Sequence, residues 1–329
     1  MRAIGRGSSK LRASMLAIFT VTAPFFALIL CGYLAERVRV LPESAVPALN
    51  AFVLYFALPC LLFRFSAGTP FEQIVNPPVF FAYMTTGLAM LGAMAVCVVR
   101  GAGENIREAA YAGLAAAWSN WGYMGFALLP AILGKAALPP LVAAGMADLL
   151  VVVSAALALG SLEEHGGRGL GPALRGALGR VARNPLIWSV ITGAAFSGLG
   201  WQLPQPVGHL IELFADAAVP VALFTIGVSL YRPGIRVARA DVFVISGAKL
   251  LVHPYLAALV AVFLFRLPPL EVRTLVLSAA LPVAGTVFLF AERQGADAER
   301  IAASILVSTA LAFFSFSALA WAFGLRLAP

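Results

Sequence analysis

Charged side chains are scarce in this 329-residue chain, at 12%, and cysteine occurs only three times. Each shortage excludes something. Against 61% hydrophobic residues and a mean hydropathy of +0.92, so few charges leave no stretch with the polar surface of a soluble domain, and the chain reads as a polytopic membrane protein. Cys31, Cys60 and Cys97 are odd in number, fall inside apolar runs and have no C-x-x-C spacing. That argues against a disulfide framework or a zinc site and makes them small core hydrophobes. No Gly-x-Ser-x-Gly, no His-Glu-x-x-His and no acidic pair at catalytic spacing occurs in any apolar run, so an enzyme is not indicated and no cofactor or metal is expected. The stretch Gly166-Gly167-Arg168-Gly169-Leu170-Gly171 lacks the Gly-Lys-Ser/Thr of a phosphate cradle and reads as a linker. A net charge of +8 would suggest nucleic acid in a soluble protein; in a membrane protein it reflects arginine-rich loops, and nucleic acid is excluded as a partner.

What is present is a series of apolar runs long enough to cross a bilayer. The first extends from Met15 to Ala35 behind Arg2, Arg6, Lys10 and Arg12. That basic start resembles a signal peptide, but no small-residue cleavage pattern follows, so the run reads as a retained span. Others lie at 46–65, 76–99, 109–133 and 140–160, then at 184–199, 211–231, 241–265, 273–292 and 300–324. The expected fold is an all-α polytopic membrane protein of ten transmembrane helices. Its expected parts are a basic tail (1–14), a five-helix unit (15–160), a linker loop (161–183) and a second five-helix unit (184–329).

Two of these runs are interrupted at their middles. The fourth contains Trp118-Ser119-Asn120-Trp121-Gly122-Tyr123-Met124-Gly125, with an amide at membrane depth and two helix-weakening glycines. The ninth contains Ala280-Leu281-Pro282-Val283-Ala284-Gly285. Pro282 lies 162 residues after Asn120, Leu41-Pro42 maps to Leu203-Pro204 at the same offset, and Pro24 to Pro185 and Pro59 to Pro220 at 161. The chain thus reads as two copies of one unit. An odd number of crossings per copy gives them inverted topology, and paired interruptions mark a transporter's binding site. The competing reading of Asn120 is interhelical hydrogen-bonding glue.

Thirteen arginines fall in the loops on one side of these spans, and five basic residues on the other besides the four of the N-terminal tail. The arginine-rich side should be cytoplasmic, with the 161–183 loop on it and both termini extracytoplasmic. A true start at Met15 would remove the conflict posed by the basic tail.

Four ionisable groups fall near or within the spans. Lys249 should face the bundle interior, where a charge otherwise costs roughly 2.5–3.5 kcal/mol, the alternative being that it snorkels to the headgroups. His253, beside Pro254, is a candidate proton carrier or a hydrogen-bonded structural histidine. Asp148 and Asp216 are candidate proton or cation carriers, Asp216 being alternatively a helix cap. Arg64 and Glu212 read as interfacial, and the tryptophans and tyrosines near span ends as belt residues.

The run Leu49-Asn50-Ala51-Phe52-Val53-Leu54-Tyr55-Phe56-Ala57-Leu58-Pro59-Cys60-Leu61-Leu62-Phe63 resembles the second-helix signature of the auxin efflux carrier family, which includes plant PIN proteins and bacterial malonate-type carriers. Ser119-Asn120-x-Gly122-x-x-Gly125, Val219-Pro220-Val221-Ala222-Leu223-Phe224-x-x-Gly227-x-x-Leu230 and Ala280-Leu281-Pro282 resemble its fourth-, seventh- and ninth-helix motifs, and Lys249 and Pro254 sit as its eighth-helix pair does. The resemblance covers nearly the whole chain. It implies ten helices in two inverted five-helix repeats, with the broken fourth and ninth helices crossing at the site. This chain has Phe126-Ala127 after Gly125 where the family has Leu-Pro, which implies a softer fourth-helix break; the long central loop of plant carriers is absent, as in the short bacterial type.

The expected function is secondary transport of a small organic anion, a carboxylate or auxin-like acid, across the bacterial inner membrane by alternating access. Expected substrate-binding residues are Asn120, Ser119, Gly122, Pro282, Gly285, Asn50 and Pro59; Lys249, Asp148, Asp216 and His253 would carry ions, protons or balancing charge. A helix half beginning after Gly122 would turn its positive end toward the anion. A cation or proton exchanger needs a carboxylate at the crossover, and none is expected there; a membrane sensor without transport is the alternative outside transport. The expected partners are the substrate anion and the lipid bilayer, a homodimer being left open.

Overall fold

The computed structural model describes residues 2–42, 44–74, 76–162, 179, 183–231 and 237–323, all of them in helices, turns or short connections apart from one isolated β-bridge. Besides a single turn at Phe71–Ile74, the helices are α1 (Arg2–Arg37), α2 (Ala45–Ala67), α3 (Pro77–Ala102), α4 (Ile106–Ala117), α5 (Trp121–Leu133), α6 (Lys135–Gly160), α7 (Pro185–Leu199), α8 (Gln205–Leu230), α9 (Ala240–Leu264), α10 (Pro269–Ala279), α11 (Thr286–Arg293) and α12 (Ala298–Ala322). Among the described residues α2, α3, α6, α8, α9 and α12 are each long and apolar enough to cross a membrane, while α5 and α7 are shorter apolar helices. The protein is a multi-pass membrane protein.

Local sequence explains the boundaries. Asn76, Asn105 and Asn184 each accept a hydrogen bond from the first turn of the helix they precede, two of them with proline at the first helical positions, where a missing N–H costs nothing. Asp297 does the same for α12, through the Arg300 N–H at 2.9 Å. Helix α1 begins at Arg2, so the stretch expected as a basic tail is helical from that residue on. Most of the expected 161–183 loop, including Arg168, Arg175 and Arg180, lies outside the described residues, as do Arg232, Arg236 and Arg326.

The helices pack in two sets. In one, α1 lies along α8 while α2 packs on both α7 and α8; in the other, α3, α4 and α6 pack together, and α9 packs on α10 and α12. Helices α1 and α8 touch backbone to backbone: a Cβ on Gly227 would run into the Ile29 carbonyl, and one on Gly32 into that of Phe224. Such small-residue contact takes the place of the hydrophobic drive that lipid cannot supply.

The cysteines correct an expectation. Cys31 and Cys97 are exposed on the outer surface of the bundle and Cys60 is half-buried, so they are not core residues. Run hydropathy cannot distinguish an inward from a lipid-facing position in a helix that is apolar all round.

Candidate functional site: a crossover of two interrupted helices

Helix α4 stops at Ala117. Trp118 turns extended (φ −83°, ψ 115°), and α5 restarts at Trp121 rather than after Gly122. The break is complete, not softened by the absence of proline after Gly125; Pro130 lies within α5 and does not make it. Helix α10 likewise ends at Ala279, and α11 starts at Thr286. The two interruptions run antiparallel: the Asn120 N–H donates to the Pro282 carbonyl at 3.0 Å, and the Ala284 N–H to that of Trp118 at 3.2 Å. Each break thereby satisfies backbone groups that the other exposes, the condition under which non-helical backbone survives at membrane depth.

Pro282 has no N–H, and Val283 gives its own to Ser308 Oγ of α12 at 3.2 Å, so the carbonyl of Ala279 is released from the helical ladder. Lys249 Nζ takes it at 3.0 Å and also reaches Ser119 Oγ at 2.6 Å and His253 Nδ1 at 2.8 Å. These contacts use all three ammonium donors and require Nδ1 to accept. Ser119 Oγ shares a further bond with Tyr83 Oη at 3.0 Å. Lys249 and His253 are fully buried, which rules out snorkelling.

Asp148 is fully buried beside this cluster, facing the Ser119 N–H and the Lys249 ammonium without a hydrogen bond to either carboxylate oxygen. Gly87 of α3 admits the close approach of α6 here, since a Cβ on it would collide with Val152, one turn after Asp148. The expectation that no carboxylate lies at the crossover is therefore wrong. Asp148 lies within the fifth run, apart in sequence from both breaks, and is brought in by the packing of α6 on α3 and α4, which no run-by-run reading contains.

On the other side of the breaks lies a cavity of about 80 Å³ between the two helix sets. Its polar lining is Asn50, Asn120, Tyr123, Ser229 and Thr286, with Gly285 just before α11; Ile226, Leu230, Phe288 and Ile305 are among its apolar walls, and among the described residues no charged side chain lines it. Asn120 is 3% exposed. The first turns of α5 and α11 border the cavity with the positive ends of their dipoles.

The expected site residues therefore separate. Asn50, Asn120 and Gly285 line the cavity. Ser119, Lys249, His253 and Asp148 form the buried cluster behind it. Pro282 contributes its carbonyl to the bridge, Gly122 lies in the first turn of α5 with open space where a Cβ would be, and Pro59 is half-buried within α2. Asp216 joins neither group: its carboxylate takes a 2.7 Å bond from Arg64 Nη1, with 72% of the aspartate side chain exposed. Tyr83, Tyr123, Ser229 and Thr286 escaped the sequence reading. Thr286 and Tyr123 adjoin the two breaks and were legible there; Tyr83 and Ser229 carry no local signal.

Two interrupted helices crossing inside an apolar bundle, beside a cavity at the seam of two helix sets, mark the class: a membrane transporter. The sequence profile of a family described as "Membrane transport protein" matches residues 17–160 and 174–320, and the chain belongs to that family, the auxin efflux carriers that its motifs resemble. It is 33% identical to a Rhizobium meliloti protein named "Putative malonate transporter" over 302 residues, 90% of this chain and 93% of that one. It is 28% identical to an "Uncharacterized transporter" of Methanothermobacter thermautotrophicus over 293 residues, 88% and 92% of the two chains. A "Probable auxin efflux carrier component 5b" of Oryza sativa is 26% identical over 152 residues, 43% of this chain and 40% of that one.

Proposed function

We propose that this protein is a secondary active transporter that moves a small organic anion across the bacterial inner membrane by alternating access. Its helices then form ten crossings, α4 with α5 and α10 with α11 each making one, in two inverted five-helix repeats of residues 15–160 and 184–329. Both termini are extracytoplasmic and the 161–183 loop is cytoplasmic, so a periplasm-active reporter at Gly169 should stay dark.

The observation that carries the reading is the bridged pair of breaks beside a cavity lined by uncharged donors. The Asn120 amide, the Asn50 amide, three hydroxyls and two helix N-termini suit a carboxylate without a fixed counter-charge in the cavity. The name of the Rhizobium relative points to a small dicarboxylate, that of the rice relative to an auxin-like acid. In proteoliposomes the protein should accumulate labelled dicarboxylate or aromatic acid and exclude neutral controls. Binding without accumulation of any acid would instead describe a sensor. Asn120→Leu should abolish binding to purified protein while leaving insertion intact; native affinity in that variant would return Asn120 to packing glue.

A proton-coupled mode has an observation of its own, the buried Asp148 and Lys249 on the far side of the same breaks. In that mode the carboxylate binds the coupling proton and Lys249 answers the change in charge. Uptake should then respond to an imposed pH gradient, and Asp148→Asn should transport at a rate independent of that gradient.

A further inference from the structure

The cavity beside Asn120 has a counterpart. A cleft of about 650 Å³ opens between the two helix sets at the other end of α2, with Arg64, Phe65, Gly68 and Thr69 on one wall and Lys135 on the other. Asn50 stands in the first turns of α2 and Gly68 just past its last. At 1.5 Å per residue the two openings are roughly 27 Å apart along that helix, about the thickness of a hydrocarbon core, and so face opposite sides of the membrane.

The sequence relates them. The 161-residue offset that carries Pro59 to Pro220 also carries Phe65 to Ile226, Gly68 to Ser229 and Thr69 to Leu230. The first of each pair lines the cleft and the second lines the cavity beside Asn120. Equivalent wall positions of α2 and α8 thus shape two openings at opposite faces. Their chemistry differs: among the described residues the cavity lining carries no charge, whereas the cleft lining carries two cations and no carboxylate. Lys135 is exposed and makes no ion pair among the described residues. Arg64 is held only by the exposed Asp216, a kind of pair that contributes little and that another carboxylate can displace.

We propose that this cleft is an anion-binding vestibule at the second mouth of the transport path, where Lys135 and Arg64 gather an organic carboxylate before the path opens to that face. The inference rests on the reading of the protein as an organic-anion carrier. A cleft of one sign of charge raises local anion concentration and on-rate, and does so less as salt is added.

Two measurements test it. In a background with Cys31, Cys60 and Cys97 replaced by serine, Lys135→Cys and Val46→Cys should react with a membrane-impermeant thiol reagent from opposite faces; reaction from one shared face overturns the vestibule whatever the protein carries. For flux, labelled malonate is presented to each face of oriented proteoliposomes. Lys135→Glu should raise KM about tenfold at low salt from the vestibule face alone, with kcat unchanged and the effect shrinking in high salt. Lys135→Gln should fall between it and wild type. Equal changes from both faces, or none, would remove the vestibule and leave transport standing. A wild-type protein that carries no carboxylate would remove the parent reading and this inference with it.

Discussion

Two buried cations meet carboxylates in this bundle, and they meet them differently. Arg300, 2% exposed in the first turn of α12, donates to Glu104 at 2.6 Å and to Glu108 at 2.5 Å, with Asp241 at 3.8 Å. Arg239 extends that network to Asp241 and Asp297 at 2.8 Å each, tying the starts of α4, α9 and α12 together. Lys249 is buried as deeply, yet its donors go to Ser119, His253 and a carbonyl, while the nearest carboxylate, Asp148, keeps both oxygens unbonded. A network in which each of these carboxylates has an arginine partner fixes helices in place. A cluster with an unsatisfied carboxylate holds back a charge whose partner can change, which suits a moving step better than a static one.

That contrast can be broken from either side. The largest effect is expected at the crossover. Lys249→Ala should cut transport more than tenfold with membrane insertion intact, because it leaves Asp148 with no cation, and Lys249→Arg should restore only part, since a guanidinium neither fits nor hydrates like an ammonium. Wild-type turnover in the alanine variant would mean that the cluster is only packing.

Arg300→Ala should behave in the opposite manner, lowering thermal stability by about 3 kcal/mol through the carboxylates left unpaired, while properly folded molecules still transport. Loss of transport without loss of stability would erase the distinction drawn between the two cations. Pro282→Ala should be milder than either: with an N–H restored, α10 can extend, so the maximum rate falls several-fold more than affinity does. Equal losses in both would place Pro282 in direct contact with substrate.

The smallest effect concerns Asp297. Burial opposes its ionisation, but the Arg300 N–H and the Arg239 guanidinium outweigh burial and hold the carboxyl below its usual value. For a depressed acid the stabilisation is present above the unfolded value of about 3.9 and is lost as pH falls through the folded one. Asp297→Ala should cost about 1 kcal/mol near neutral pH, measured by thermal melts, and the gap from wild type should close in acid.

Much of the helical layout was legible in the sequence. Apolar runs overlie α2, α3, α6, α8, α9 and α12, the helices long enough to cross, because a bilayer demands helices of a set length and asparagine, proline and glycine punctuate their ends. The breaks at Trp118–Asn120 and Ala280–Gly285 were legible for the same reason, as polar and helix-breaking residues placed where leucine would serve better. The partition of the site was not. Nothing in the neighbourhood of Asp148 says that it lies behind Ser119, and nothing near Asp216 says that it pairs with Arg64.

The sequence by itself therefore determined that this is a membrane bundle whose apolar runs are interrupted at Trp118–Asn120 and Ala280–Gly285, since hydropathy and backbone hydrogen bonding are local constraints. Only the tertiary structure decided which polar groups face each other. It brought the two breaks into one bridge, turned Asn120 into a cavity and Ser119 away from it, and set Asp148 near Lys249 from helices far apart in the chain. In helices that are apolar on every side, the rotation and depth that place such groups are set by packing against neighbours, and no residue's own neighbours in sequence record them.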